Sequence, residues 1–246
     1  DNDKLTLSNL SNRDNGNAVA FLGHRIDVDG SVLSIPMNHD VGRNMAIIGP
    51  ANAAIPLANA IRSLSLQHEP ETAEVVVIDL LNANKQWEAI RTKFYSDLTA
   101  SGIYCKVVEP EDIEATIDEL ADRAATSGAL SSLKHSTYLL GLGLERLRSA
   151  GRFSELCRTG ADNGIHIFGW WLKADTFNDH VGYGGNAYFD IKAAYGLDTQ
   201  TTRRLLDEPL LDWRPRSNRM IIWDAASMPA PVRLIPYTAY PGVDTP

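Results

Sequence analysis

The chain has 246 residues, a hydrophobic fraction of 44%, 22% charged residues and a formal net charge of −8. That balance suits a globular chain large enough for one sizeable α/β domain with additions, or at most two small ones. Its acidic character argues against autonomous, non-specific nucleic-acid binding, while a local basic surface within an assembly would still be compatible with DNA contact.

Residues 1–17 are rich in Asn, Asp and Ser and read as a linker or mobile lead-in. The chain begins with Asp1, and with that polar start it is expected to be the C-terminal module of a longer protein. Ala18 to Ile26 and Ser31 to Ile35 are strand-like runs joined by a plausible hairpin turn, Asp27 to Gly30. Next comes Gly42 to Pro56, an apolar strand (Met45 to Ile48) that runs into Gly49 and a short turn. An Ala-rich helix follows from about Ala53 to Leu64. This is the strand–loop–helix frame of a phosphate-binding loop, in which backbone N–H groups cradle phosphates at a helix start. Begun at Gly49, the pattern G-x-x-x-x-G-K-[ST] requires Gly, Lys and Ser or Thr at positions 54, 55 and 56; the chain has Ala54, Ile55 and Pro56. The loop Gly49, Pro50, Ala51, Asn52, Ala53, Ala54, Ile55, Pro56 thus supplies neither an ammonium for the phosphates nor a hydroxyl for Mg²⁺. Pro50 and Pro56 each remove one backbone donor as well.

Glu74 to Leu80 is a nearly continuous β-branched run, as in a strand covered on both faces. A helix is expected over Lys85 to Phe94, a strand over Ile103 to Val108, and a helix over Pro110 to Ala125 whose first turn is acidic. That acid run reads as a solvated helix face, with a cation site as the alternative. Strands are expected over Thr137 to Leu142, Gly164 to Trp171, Tyr188 to Tyr195, Met220 to Asp224 and Val232 to Pro236, with helices over Phe153 to Thr159 and Thr199 to Leu206. Strands repeatedly followed by helices imply a mostly parallel sheet in a three-layer α/β fold with right-handed crossovers. Cys105 and Cys157 have no ligand-like spacing and read as buried thiols rather than a disulfide or metal site. Gly182 to Gly185 reads as a flexible loop with no following helix or Lys to make it a phosphate cradle. No apolar run is long enough to span a bilayer, and no signal-peptide, zinc or nucleophile-elbow pattern is present.

Several blocks, in order, resemble the motor domain of the FtsK/SpoIIIE family, RecA-like DNA translocases whose relatives include EccC-type secretion ATPases. They are Gly42 to Leu64; Glu74 to Asp79; Phe153 to Phe168, with its spacing from Arg158 to Gly164-Ile165-His166; Phe189 to Asp198 with Thr202 to Pro209; and Pro231 to Pro236. The resemblance covers residues 18–240, leaving 241–246 as a C-terminal tail. It implies a three-layer RecA-like P-loop NTPase fold with an N-terminal β-hairpin. It also implies other motor modules of the same or a neighbouring chain as partners, DNA or a secreted peptide as further ones, and a cytoplasmic location within a membrane-associated parent, without direct membrane insertion.

The departures from the family pattern concern nucleotide chemistry. The Walker B strand of such motors ends on acids that hold Mg²⁺ and polarise water. Here the corresponding positions are Gly143 and Leu144, with Glu145 one place later, either a shifted catalytic acid or a helix-capping or surface acid. After Gly-Ile-His the family continues with a polar sensor, where this chain has Gly169, Trp170 and Trp171. The expectation is a degenerate ATPase-like module without catalytic residues or a resident metal, and with ATP and Mg²⁺ held weakly if at all. The alternatives are a peptide- or partner-binding module of a secretion-type ATPase and, further off, an active translocase with shifted residues. His166 reads as a hydrogen-bonded core or interface residue, or else a base. Trp170 and Trp171 read as core packing or as a stacking platform, with Ile55, along a peptide groove. Arg203 and Arg204 read as solvated charges or as residues facing a neighbouring subunit or DNA.

Overall fold

The computed structural model describes residues 17–81, 84–127, 135–148 and 151–243. The lead-in expected over residues 1–17 therefore lies almost wholly outside the described residues. The strands are β1 (Val19–Arg25), β2 (Val32–Pro36), β3 (Met45–Ile48), β4 (Ala73–Asp79), β5 (Tyr104–Val107), β6 (Ser136–Leu142), β7 (Ile165–Trp171), β8 (Ile191–Tyr195), β9 (Met220–Asp224) and β10 (Val232–Pro236). The helices are α1 (Ala54–Ser65), α2 (Lys85–Ala100), α3 (Ile113–Ser127), α4 (Gly151–Thr159), α5 (Ala174–Val181) and α6 (Thr199–Leu206).

All ten strands form one sheet in the order β2-β1-β10-β9-β8-β3-β7-β6-β4-β5. Pairings from β8 through β3, β7, β6 and β4 to β5 are parallel. Those of β9, β10, β1 and β2 are antiparallel and form a wing that carries the expected N-terminal hairpin. Two apolar layers sandwich the sheet. One holds side chains from α1 and α2, the other side chains from α3 to α6. Being covered on both faces is why β6 (Ser-Thr-Tyr-Leu-Leu-Gly-Leu) and β7 (Ile-His-Ile-Phe-Gly-Trp-Trp) are buried at every position and show no polar–apolar alternation.

Three elements differ from expectation. Helix α2 runs on to Ala100, because Ile90, Phe94 and Leu98 form one buried stripe. The stretch read as a strand from Tyr188 begins only at Ile191, since Gly185–Tyr188 makes a 3-10 turn. Helix α5 was not expected; its stripe of Ala174, Phe177 and Val181 lies within eight residues.

The N-terminal end of β3 is anchored by a buried polar cluster. The Arg43 guanidinium donates to both carboxylate oxygens of Asp224, at 2.7 and 3.1 Å, and also to Pro36 O. Asn44 donates to Cys157 O at 3.1 Å and Tyr188 O at 2.8 Å, and accepts from Ile167 N at 2.8 Å. These bonds lock β3 against β7 and the β8–β9 edge, which fixes where its C-terminal end, and hence the loop after it, must emerge.

Candidate functional site

Strand β3 ends at Ile48 and the chain turns at Gly49 into a loop that reaches α1 at Ala54, so the strand–loop–helix frame is present. Gly49 has φ +143°, and a Cβ there would lie 2.0 Å from Tyr195 O. Only glycine permits β8 to approach this closely.

Three of the loop's amides are bonded within the chain, those of Gly49, Ala51 and Ala54. Gly49 N donates to Trp171 O at 2.9 Å, Ala51 N to Tyr195 O at 3.4 Å, and Leu57 N to Ala53 O at 3.1 Å. Ala54 N, the first amide of α1, donates to the side-chain oxygen of Asn52 at 3.0 Å. That oxygen satisfies one of the amides left open at the helix start. The Asn52 amide reaches the other way, donating to Gln86 Oε1 at 3.1 Å and Asn84 Oδ1 at 3.5 Å. Asn84 in turn caps α2 by accepting from Trp87 N. Pro50 and Pro56 have no N–H to offer.

A cleft of about 640 Å³ opens at this loop, beyond the C-terminal ends of β3 and β8. Ala51, Asn52, Ile55 and Gln86 line one side; Pro215, Arg216, Ser217 and Asn218, from the loop before β9, line another, and Thr238 adds to the rim. Arg216 is the one charged side chain among these residues, and no carboxylate lines the cleft. A triphosphate with Mg²⁺ needs a cation on the phosphates and oxygen ligands on the metal. The cleft offers the Arg216 cation and neutral amide and hydroxyl oxygens, without a carboxylate among its described residues. Among the described residues, no cluster of His, Cys, Asp and Glu is arranged to hold a metal elsewhere.

The other expected positions lie close by but face inward. Gly143 adopts the left-handed conformation (φ +70°), which turns Leu144 into the core at 1% exposure. Glu145 accepts from Leu172 N at 3.2 Å and Thr176 Oγ1 at 2.8 Å, tying the start of α5 to the end of β6. Trp170 and Trp171 are both buried, on opposite faces of β7. Trp170 donates to Gly49 O at 2.9 Å, so it supports the loop from beneath. Trp171 folds back over Gly169, packs edge-on against Phe177 at 4.9 Å, and donates to His180 at 3.1 Å. A stacking platform would require exposed indoles, so the platform reading of this pair is corrected to core packing. Ile55 alone of the expected groove residues lines the cleft.

His166 sits at the opposite end of β7, fully buried; its Nδ1 faces Arg43 O at 2.9 Å, and its ring stacks on Tyr138 at 5.7 Å. Burial lowers its pKa to about 3, despite the Arg43 carbonyl, which pulls the other way. It is therefore a neutral core residue at ordinary pH and stands away from the cleft. Arg203 donates to Leu211 O at 2.8 Å, while Arg204 is exposed, 3.9 Å from Asp175. Neither lines the cleft.

What residue patterns alone did not reveal is the role of Asn52 and the contribution of Gln86, Arg216 and Thr238. For Asn52 a signal existed, since Asn side chains readily accept from the backbone two residues on. The others reach the cleft only through tertiary packing.

No family model matches the chain, and no curated protein matches its sequence. Solved structures do. The cytoplasmic domain of the type VII secretion ATPase EccC of Thermomonospora curvata aligns over 99% of this chain at 14% identity and a TM-score of 0.62. The pCW3 conjugation coupling protein TcpA, solved as a monomer with ATPγS, aligns over 96% at 12% identity and 0.61. ATPases 2 and 3 of the same EccC, in complex with a signal-sequence peptide, align over 97% at 11% identity and 0.60. The chain spans 31%, 71% and 44% of these proteins respectively. The chain shares its fold with these domains of a type VII secretion ATPase and of a conjugation coupling protein, a RecA-like α/β fold built on a strand, the Gly49 loop and a helix. Among the described residues, no helix is long and apolar enough to cross a membrane.

Proposed function

We propose that residues 18–240 form a degenerate motor-type module that does not hydrolyse nucleotide by itself. Its role is structural or regulatory, beside other motor modules of the same or a neighbouring chain. The observation that carries this reading is the self-bonded loop: Asn52 takes the first amide of α1, and the neighbouring cleft offers one arginine and no acid. Phosphoryl-transfer sites work by positioning and electrostatics, so a site lacking the Lys, the Mg²⁺ hydroxyl and the Mg²⁺ acid has little left to drive the reaction. Arg204, exposed on α6, is the residue we assign to contact with a neighbouring module or DNA.

The test is thermal unfolding with about 5 mM ATP and Mg²⁺, together with an assay of phosphate release. A Kd no tighter than the ligand concentration stabilises by about 0.4 kcal/mol or less, a shift of about 2 °C or less for a chain of this size. We expect that and no turnover. A shift of several degrees with phosphate release overturns the reading.

A second reading is favoured by the lining of the cleft. Side-chain amides and hydroxyls from Asn52, Gln86, Ser217, Asn218 and Thr238, with apolar Ile55 and one arginine, suit an extended peptide better than a triphosphate. One structural neighbour was solved with a signal-sequence peptide, which supports a partner segment as the occupant. DNA binding with a steep salt dependence would instead favour the translocase setting.

A further inference from the structure

Beyond β10 the chain stays on the domain. Tyr237 N donates to Leu22 O at 2.8 Å, Thr238 joins the rim of the cleft, and the next residues turn onto the face made by α1 and α2. There Ala239 O accepts from Asn59 Nδ2 on α1 at 3.0 Å. Tyr240 is 1% exposed. Its ring meets Phe94 of α2 edge-on at 6.1 Å, the Arg62 guanidinium of α1 lies 6.0 Å from its centroid, and its hydroxyl donates to Asp97 Oδ2 of α2 at 3.1 Å. Asp97 also pairs with Arg62 at 3.4 Å and with Lys93. Val243 packs on the same apolar layer. Tyr240 therefore joins the Arg62–Asp97 pair in bridging α1 and α2.

The far ends of the same two helices form a wall of the cleft. Helix α1 begins at the Gly49 loop, and Asn52 bridges that loop to Asn84 and Gln86 at the start of α2. The segment after β10 thus touches the cleft twice, directly through Thr238 and indirectly through the helices that Tyr240 clamps.

We propose that Tyr237–Val243 is a latch that sets the opening of the cleft. With Tyr240 seated, α1 and α2 are held together and Thr238 is fixed at the rim; with Tyr240 withdrawn, the rim is released and the Gly49 loop loosens. The proposal rests on reading the cleft as the binding site of this domain. The seat is imperfect in a way that suits a device that must open. Two buried atoms around it, Asn59 Oδ1 and Arg62 Nη1, have no hydrogen-bond partner. After Tyr237 the segment pairs with no strand, and segments with few backbone bonds open at the low end of the stability range. A cleft ligand touching Thr238 and Asn52 would shift the latch, and by linkage the latch would shift the affinity for that ligand equally.

The test is amide hydrogen exchange on the whole chain without ligand, comparing wild type with Tyr240→Ala and Tyr240→Phe. Tyr240→Ala is expected to speed exchange in residues 237–243 and, at least threefold, in residues 49–57 and 84–90, leaving β6 and β7 at the wild-type rate. Tyr240→Phe keeps the ring, loses the Asp97 bond, and should give a smaller rise in the same segments. If 237–243 is freed while 49–57 and 84–90 keep the wild-type rate, or if β6 and β7 accelerate equally, the latch is refuted. Should Tyr240→Ala fail to fold, Asn59→Ala tests the clamp from the α1 side with the same expected pattern. Because no ligand is present, a failed latch appears in the exchange data, whereas failure of the degenerate-module reading appears as ATP-dependent stabilisation with phosphate release.

Discussion

Replacing Asn52 by Ala tests the idea that this side chain satisfies an amide left open at the helix start. In the folded chain its oxygen accepts from Ala54 N at 3.0 Å and its amide donates to Gln86 at 3.1 Å. Losing the hydrogen bond from the Ala54 amide to the Asn52 side chain costs about 0.5–1.5 kcal/mol. Loss of the part-exposed amide bridge to α2 adds about 0.5–1.5 kcal/mol. The sum, about 2 kcal/mol, corresponds to a fall in Tm of about 4–8 °C for a chain of this size. The substitution also frees the Ala54 amide at the mouth of the helix, so a small anion can take the vacated place. The assay is urea unfolding of both proteins across a sulfate series. Sulfate stabilises most proteins by exclusion from their surface, so the informative quantity is the difference between variant and wild type at each concentration. The variant should recover part of its deficit as sulfate rises. A cost below about 0.3 kcal/mol, or parallel sulfate curves, would refute the account of Asn52 as the acceptor of the Ala54 amide, since losing that bond should cost at least about 0.5 kcal/mol.

Two further expectations concern the opposite end of the sheet. Asp224→Ala leaves Arg43, 3% exposed, without its bidentate partner and with only Asp190 at 3.9 Å. An uncompensated buried charge of this kind costs about 3–5 kcal/mol, to be read from the urea midpoint. His166 contributes to acid sensitivity. Burial lowers its folded pKa from 6.5 to about 3, so between those values the unfolded chain binds a proton that the folded chain refuses. Stability is therefore lost as pH falls through that window, by about 1.4 kcal/mol per pH unit where the difference is one full proton. His39, also lowered chiefly by burial, acts in the same sense. Unfolding free energy against pH for His166→Asn should have a slope smaller by up to one proton, and an unchanged slope would refute this assignment.

The elements legible in the sequence were those whose apolar pattern is set locally. The run from Glu74 to Leu80 reads as a strand covered on both faces, and Met220–Asp224 as a strand; both are strands, with most positions buried. The Gly49 turn was legible because the change from an apolar strand to an Ala-rich helix leaves one place to bend. Helix α5 escaped because eight residues with three apolar anchors resemble a loop until the neighbouring Trp171 is in place. The cleft was legible on one side only. Ile55 and Asn52 belong to the loop, whereas Arg216 and Thr238 reach it from far along the chain. The partner of Arg43 stands 181 residues away, a pairing that no local pattern encodes.

On the proposed reading, the residues standing at the nucleotide positions of the motor pattern also belong to the core. Where the motor resemblance calls for a Lys, a Mg²⁺ acid and a polar sensor, the chain has Ile55, Leu144 and the Trp170–Trp171 pair. Ile55, Leu144 and Trp171 are 3%, 1% and 0% exposed. Burying an aliphatic side chain of this kind contributes about 1.5–3 kcal/mol, and a buried indole contributes at least as much. Stability and phosphate chemistry thus oppose each other at the same positions. Restoring the Lys alone would place an ammonium where an isoleucine is enclosed, beside an amide already bonded to Asn52, with no carboxylate within the cleft to hold a metal. A single reversion is therefore expected to destabilise the chain without conferring hydrolysis. Recovery of ATPase activity by Ile55→Lys alone would mean that the loop is closer to a working phosphate cradle than its hydrogen bonds imply.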